Sequence, residues 1–98
     1  MSNCFTPVLR QSAIKAISMM ASRVSFFPDG DIIVTMPNGY GVIVTRWDSG
    51  KQDGDLAVGW LAPDPDLGPG LWLQCYLGYT CNEHEVVRLC GKVAGSLF

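Results

Sequence analysis

Charge is scarce in this chain, and histidine is scarcer. Asp, Glu, Lys and Arg make up 16% of the 98 residues, and His84 is the one histidine. Soluble domains average about 25% charged residues. Apolar residues reach 48%, and a chain this short forms one domain, residues 1–98, with one modest core. Some apolar surface is therefore expected to lie against a second copy or another protein. With a single histidine, most acid–base schemes would have to run through His84. There is no Ser-His-Asp set, phosphate-binding glycine loop or paired-carboxylate motif. No catalytic residue is assigned, and the chain reads as non-enzymatic.

Long apolar runs are also missing. None approaches the ~20 residues that a membrane-spanning helix needs, so no membrane role is expected. No secretory signal is evident, because Arg10 and Lys15 interrupt the early apolar stretch. The four cysteines, Cys4, Cys75, Cys81 and Cys90, are then expected to be reduced thiols in a cytoplasmic protein. The acid-free first segment faintly resembles a mitochondrial presequence, but the packed helix is the preferred reading. The seven basic residues are scattered and form no cluster able to neutralise several phosphates, so nucleic acid is not an expected partner. They do follow a pattern. Residues 1–28 hold Arg10, Lys15 and Arg23 without an acid, residues 29–85 hold all nine acids, and residues 86–98 add Arg88 and Lys92. Charge balance between layers of one domain is the preferred reading, and the alternative is that the basic ends lean on an acidic partner.

Helical signals stand at both ends. Thr6 and Pro7 suit a cap and a first helical position. Leu9, Ala13, Ala16, Ile17, Met20 and Val24 then recur at helical spacing, to an end near Ser22. At the other end Asn82 and Glu85 form a capping-box-like pair, followed by the stripe Val86, Leu89, Cys90, Val93 and Leu97.

Between them the pattern is that of strands. Asp29-Gly30 and Asn38-Gly39 are dipeptides that tolerate positive φ in tight hairpin turns. Taken as two-residue loops, they set Phe26 opposite Ile33, Ile33 opposite Val44 and Val34 opposite Ile43. One face would carry Phe26, Ile33, Val42 and Val44, and the other Phe27, Ile32, Val34, Met36 and Ile43. Both faces are apolar and both need cover. Leu56–Leu61 reads as a fourth strand, and residues 63–70, rich in proline and glycine, read as irregular. Leu71–Tyr79 reads as a fifth strand with Trp72, Gln74 and Tyr76 on one surface. The expected fold is α+β: an antiparallel meander of about five strands with the N- and C-terminal helices on one face.

Three constellations bear on function. Cys75, Cys81, His84 and Cys90 are zinc-ligand types, but Cys75 and Cys90 fall on apolar stripes where cysteine behaves as a small buried hydrophobe. No metal and no cofactor are expected, and His84 reads as solvent-facing. The aspartates at 48, 53, 55, 64 and 66 match no calcium loop and suit turns. The aromatics Trp47, Trp60, Trp72, Tyr76 and Tyr40 are the candidate binding residues, since tryptophan and tyrosine concentrate at interfaces. The function expected is protein binding, in an accessory or inhibitor-like role, by a homodimer with an apolar and aromatic sheet surface. The alternative is a small-molecule site or minor enzymatic pocket lined by Trp and Tyr near the acidic loops.

Overall fold

In the computed structural model, residues 9–46, 56–80 and 82–95 are described. The order is α1 (Gln11–Met20), β1 (Arg23–Phe26), β2 (Ile32–Thr35), β3 (Gly41–Arg46), β4 (Leu56–Asp64), β5 (Gly68–Thr80) and α2 (Glu83–Ala94). The five strands form one antiparallel sheet in sequence order. Both helices pack on the same face, giving the expected α+β architecture.

The register of the first two hairpins differs from the expected one by a residue. Phe27 N–H donates to Asp31 O at 3.0 Å and Gly30 N–H to Phe27 O at 2.9 Å. Met36 N–H donates to Tyr40 O at 2.8 Å and Gly39 N–H to Met36 O at 3.0 Å. The loops are thus three residues, Pro28-Asp29-Gly30 and Pro37-Asn38-Gly39, each a turn ending in a glycine at positive φ, 97° and 93°. A two-residue loop would make Pro28 or Pro37 a hydrogen-bonded strand residue, and proline has no amide to donate. Phe26 therefore pairs with Ile32, Ser25 with Ile33, and Ile33 with Ile43.

That shift decides the faces. Ile32, Val34, Met36, Val42, Val44, Leu56 and Val58 are buried with Leu9, Ala13, Ile14 and Ile17 from around α1 and Val86, Leu89, Cys90 and Val93 of α2. The opposite face carries Ser25, Ile33 and Ile43, with Phe27 continuing the alternation.

The last hairpin is longer than expected. Strand structure includes Pro63 and Pro69. β3 pairs with β4 only as far as Leu61, and β5 is the sheet's edge, so the missing donors interrupt no central ladder. The β4–β5 ladder shifts register three times, once at the hairpin tip between Pro63 and Asp64 and twice at bulges farther along β5. Trp60 pairs with Cys75 but Leu61 with Leu73, leaving Gln74 extra; Val58 pairs with Gly78 but Gly59 with Tyr76, leaving Leu77 extra. Gln74 Nε2 closes the first bulge by donating to Trp72 O at 3.0 Å.

The helices are tied by contacts distant in sequence. Thr6 and Pro7 lie outside the described residues, and α1 is capped from elsewhere. Arg10 N–H donates to Glu83 Oε2 at 2.6 Å, and Arg10 Nε lies 3.0 Å from Glu83 Oε1. α1 ends at Met20 rather than near Ser22, because Ser22 N–H and Oγ both turn to Thr35 O on β2. In α2, Asn82 Oδ1 accepts from His84 N–H at 2.9 Å. Glu85 does not complete a capping box; it pairs with Arg88, which holds its carboxyl below the ordinary value of 4.5. At the other end of α2, Asn38 Nδ2 donates to Val93 O at 2.7 Å and Ala94 O at 3.2 Å, while its Oδ1 accepts from Tyr40 N–H at 3.0 Å. One side chain thus shapes the β2–β3 turn and caps α2.

Asn38→Asp separates those two tasks. The carboxylate keeps the acceptor for Tyr40 but turns negative charge toward the carbonyl end of α2. Urea unfolding is expected to show a loss of about 1–2 kcal/mol. A stability equal to wild type would remove Asn38 as the helix cap.

Candidate functional site

The open face of the sheet is built in three rows across the strands. Arg23, Thr35, Gly41, Leu61 and Leu73 form the first, and Ser25, Ile33, Ile43, Gly59 and Tyr76 the second. Asp31, Thr45, Ala57 and Tyr79 form the third, with Phe27 at its end. Glycine in the first two rows lets side chains from β5 lie down over the sheet. A Cβ at Gly59 would stand 2.6 Å from Leu73 Cδ1, 2.9 Å from Ile43 Cγ2 and 3.6 Å from Tyr76 Cδ1. A Cβ at Gly41 would stand 2.7 Å from Leu71 Cδ1. Tyr76 stacks on Tyr79 with ring centroids 5.6 Å apart.

Among the described residues no helix covers this face. Leu73, Tyr76 and Tyr79 remain 45%, 41% and 47% exposed, and Phe27 41%. Ile33 and Ile43 are half-buried between them. The middle row carries no charged side chain. Among the described residues of the rows, charge enters only at the ends, with Arg23 closing one and Asp31 the other. The Asp31 carboxylate accepts from Thr45 Oγ1 at 2.8 Å.

The aromatic candidates are distributed over several surfaces. Tyr40 and Trp60 meet edge to face, centroids 5.9 Å apart, and pack against the helix-covered core. Trp72 lies near the tip of the β4–β5 hairpin and donates from its indole to Gly68 O at 3.1 Å. Tyr76 belongs to the open face, away from both. Trp47 and the aspartates at 48, 53 and 55 lie outside the described residues. The expected common surface of Trp72, Gln74 and Tyr76 is not formed, because the bulges at Gln74 and Leu77 turn Tyr76 to the side of Leu73 and Tyr79. Strand alternation groups Leu73 with Tyr79 but misplaces Tyr76, since two bulges within one strand leave no clear mark on its sequence.

The thiol and histidine set does not converge where it is described. Cys90 is buried on α2, whereas Cys75 is exposed on the edge strand, contrary to the expectation that both are buried. α2 reaches β5 at Gly78, where a Cβ would meet Leu89 Cδ1 at 3.6 Å, and its cover does not extend to Cys75. His84 is exposed in the first turn of α2. Cys81 lies outside the described residues. Among the described residues no group of three or more His, Cys, Asp or Glu side chains is placed to hold a metal. Asp64 serves a turn, its Oδ1 accepting from Asp66 N–H at 3.0 Å.

A cavity of about 320 Å³ lies between the starts of the two helices, lined by Arg10, Ser12, Ala13, Ala16, Glu83 and His84 among others. Its carboxylate is already committed to Arg10, and no described tryptophan, tyrosine or phenylalanine lines it. Among the described residues no helix is long and apolar enough to cross a membrane.

The two thiols should behave differently. Burial pushes the Cys90 thiol up to about 12, so it stays protonated and shielded in the folded protein. In a Cys4→Ser, Cys81→Ser background a thiol reagent is expected to label Cys75 in the native state and Cys90 only after unfolding. The folded-state pKa is raised, so this stabilisation is complete below about pH 9 and is lost as pH rises through about 12. Fast native labelling of both thiols would contradict the packing of α2. Compared with family models, curated proteins and solved structures, the chain gives no match.

Proposed function

We propose that this chain is a small non-enzymatic protein-binding module whose working surface is the open face of the sheet, and that it self-associates through that face as a homodimer. The observation that carries this reading is the continuous patch of Leu73, Tyr76, Tyr79, Ile33 and Ile43. Single exposed apolar residues need no explanation, but a contiguous patch on a sheet opposite its helices marks an interaction surface. Tyrosine supports the reading, since it supplies contact area with little entropy lost on ordering. The uncharged middle row supports a second copy as occupant, because identical faces meet there without like-charge repulsion. An accessory or inhibitor-like role fits a surface that presents contact area and no reacting group. A reducing compartment such as the cytoplasm suits a chain with an exposed free thiol at Cys75.

Size sets the expected affinity. Five strands about 4.8 Å apart and three rows of side chains give a footprint of roughly 400 Å² per copy, below the ~800 Å² of a standard interface. A dimer with Kd in the micromolar range follows.

Sedimentation velocity from about 1 to 200 µM should show monomer passing into dimer. Tyr76→Asp buries a charge in the patch and is expected to weaken the dimer more than about tenfold, while Trp72→Ala leaves it unchanged. A wild type that stays monomeric throughout, or a dimer insensitive to Tyr76→Asp, would refute self-association through this face.

A further inference from the structure

The positions of the only two charged side chains in the rows of the open face select one way for two copies to meet. Arg23 lies at the β1 end of the first row and is exposed; Asp31 lies in the third row just before β2 and is half-buried. They sit on adjacent strands at opposite ends of an apolar strip, about 13 Å apart along the strand direction. That separation is too long for a pair within one chain. Between copies it is not.

Two sheets that pack face to face by a two-fold need the axis to lie in the plane between them. Two limiting directions exist. An axis along the strands keeps each row over its own counterpart and reverses strand order. It sets Arg23 over the level of the partner's Leu73, and Asp31 over the level of the partner's Ala57. Both charges would then lose water and gain no opposite charge, which is costly. An axis across the strands keeps strand order and exchanges the first and third rows. It brings Arg23 over the β1–β2 end of the third row, beside the partner's Phe27 and Asp31. The guanidinium then meets a carboxylate and an aromatic ring at once.

Resting on the sheet-face dimer described above, we propose that the two copies mate about an axis across the strands, along the row Ser25, Ile33, Ile43, Gly59 and Tyr76, so that Arg23 of each copy pairs with the partner's Asp31. The two pairs close the ends of the interface, and the isoleucines of the middle row meet along the axis. Sheets stacked about 10 Å apart leave a long arginine within reach of a carboxylate on the facing sheet. Asp31 keeps one carboxylate oxygen for Thr45 and offers the other to the partner. The pairs sit at the rim, so they set register and orientation and make association sensitive to salt.

Reciprocal charge variants test the pairing in the full chain. Arg23→Glu leaves each homodimer with two acid–acid contacts, and Asp31→Arg leaves two base–base contacts. Each variant alone is expected to dimerise about tenfold more weakly than wild type at low salt. Mixed together they regain both pairs, so the mixture should form heterodimer with affinity within about threefold of the wild type. Sedimentation with one variant fluorescently labelled reads the heterodimer directly. Two weakened homodimers with a restored heterodimer establish the pairing. A wild-type dimer with variants that associate normally, or variants that weaken without recovery on mixing, overturns the pairing and leaves the sheet-face dimer standing. A monomeric wild type removes the sheet-face dimer itself. Should Asp31→Arg fail to fold, as the loss of the Thr45 contact allows, Arg23→Glu carries the test alone. Its exposed side chain leaves the monomer intact, and an undiminished dimer at low salt overturns the proposal.

Discussion

The backbone hydrogen bonds that close the first two hairpins fix the parity of the sheet, and nearly everything else depends on that parity. A three-residue loop places Ser25, Ile33 and Ile43 on one face and Val24, Ile32, Val34, Val42 and Val44 on the other. With a loop one residue shorter, the two sets of partners would be mismatched across β1 and β2. The glycines at positive φ, Gly30 and Gly39, make the longer loop accessible. The prolines before them make the shorter one unfavourable.

The consequences spread outward from that choice. On the helix-facing side Ile32, Val34, Val42 and Val44 are fully buried, with Val24 partly so, and they meet a matching stripe on each helix. Hydrophobic burial of this kind is strong but nondirectional, so it does not by itself fix where the helices sit. Two polar contacts add direction. Glu83 at the start of α2 accepts from the backbone N–H of Arg10, the N-cap of α1, and Asn38 in the β2–β3 loop donates to the last carbonyls of α2. Both helices are thereby held by groups that also belong to other elements, and the turn that sets the register also anchors a helix end.

The open face follows from the same arrangement. Both helices are used on one side, and the chain supplies no further described helix for the other. The face is smoothed by Gly41 and Gly59, over which Leu71, Leu73 and Tyr76 lie, and it is uncharged except at its ends. Among the described residues no group of three or more His, Cys, Asp or Glu side chains is placed to hold a metal, and the exposed Cys75 and the buried Cys90 lie on different elements.

Much of the architecture was legible in the sequence. The periodicity of Ala13 and Ile17, the stripe from Val86 to Val93, and the two glycine turns are local signals, and each corresponds to an element of the structure. So is the presence of two apolar strand faces. The hairpin register was legible in principle, because proline before Asn-Gly or Asp-Gly is a statement about a missing amide. The capping of α1 by Glu83, the capping of α2 by Asn38, and the bulges at Gln74 and Leu77 were not. They arise when segments 55 to 73 residues apart meet, or when a strand must accommodate a twisted neighbour. The sequence by itself determined the elements and the need to cover two faces, because periodicity and turn chemistry are local. Only the tertiary structure decided which face the helices take and which aromatics remain outside, because one unpaired residue in a turn or a bulge reverses the side to which the following side chains point.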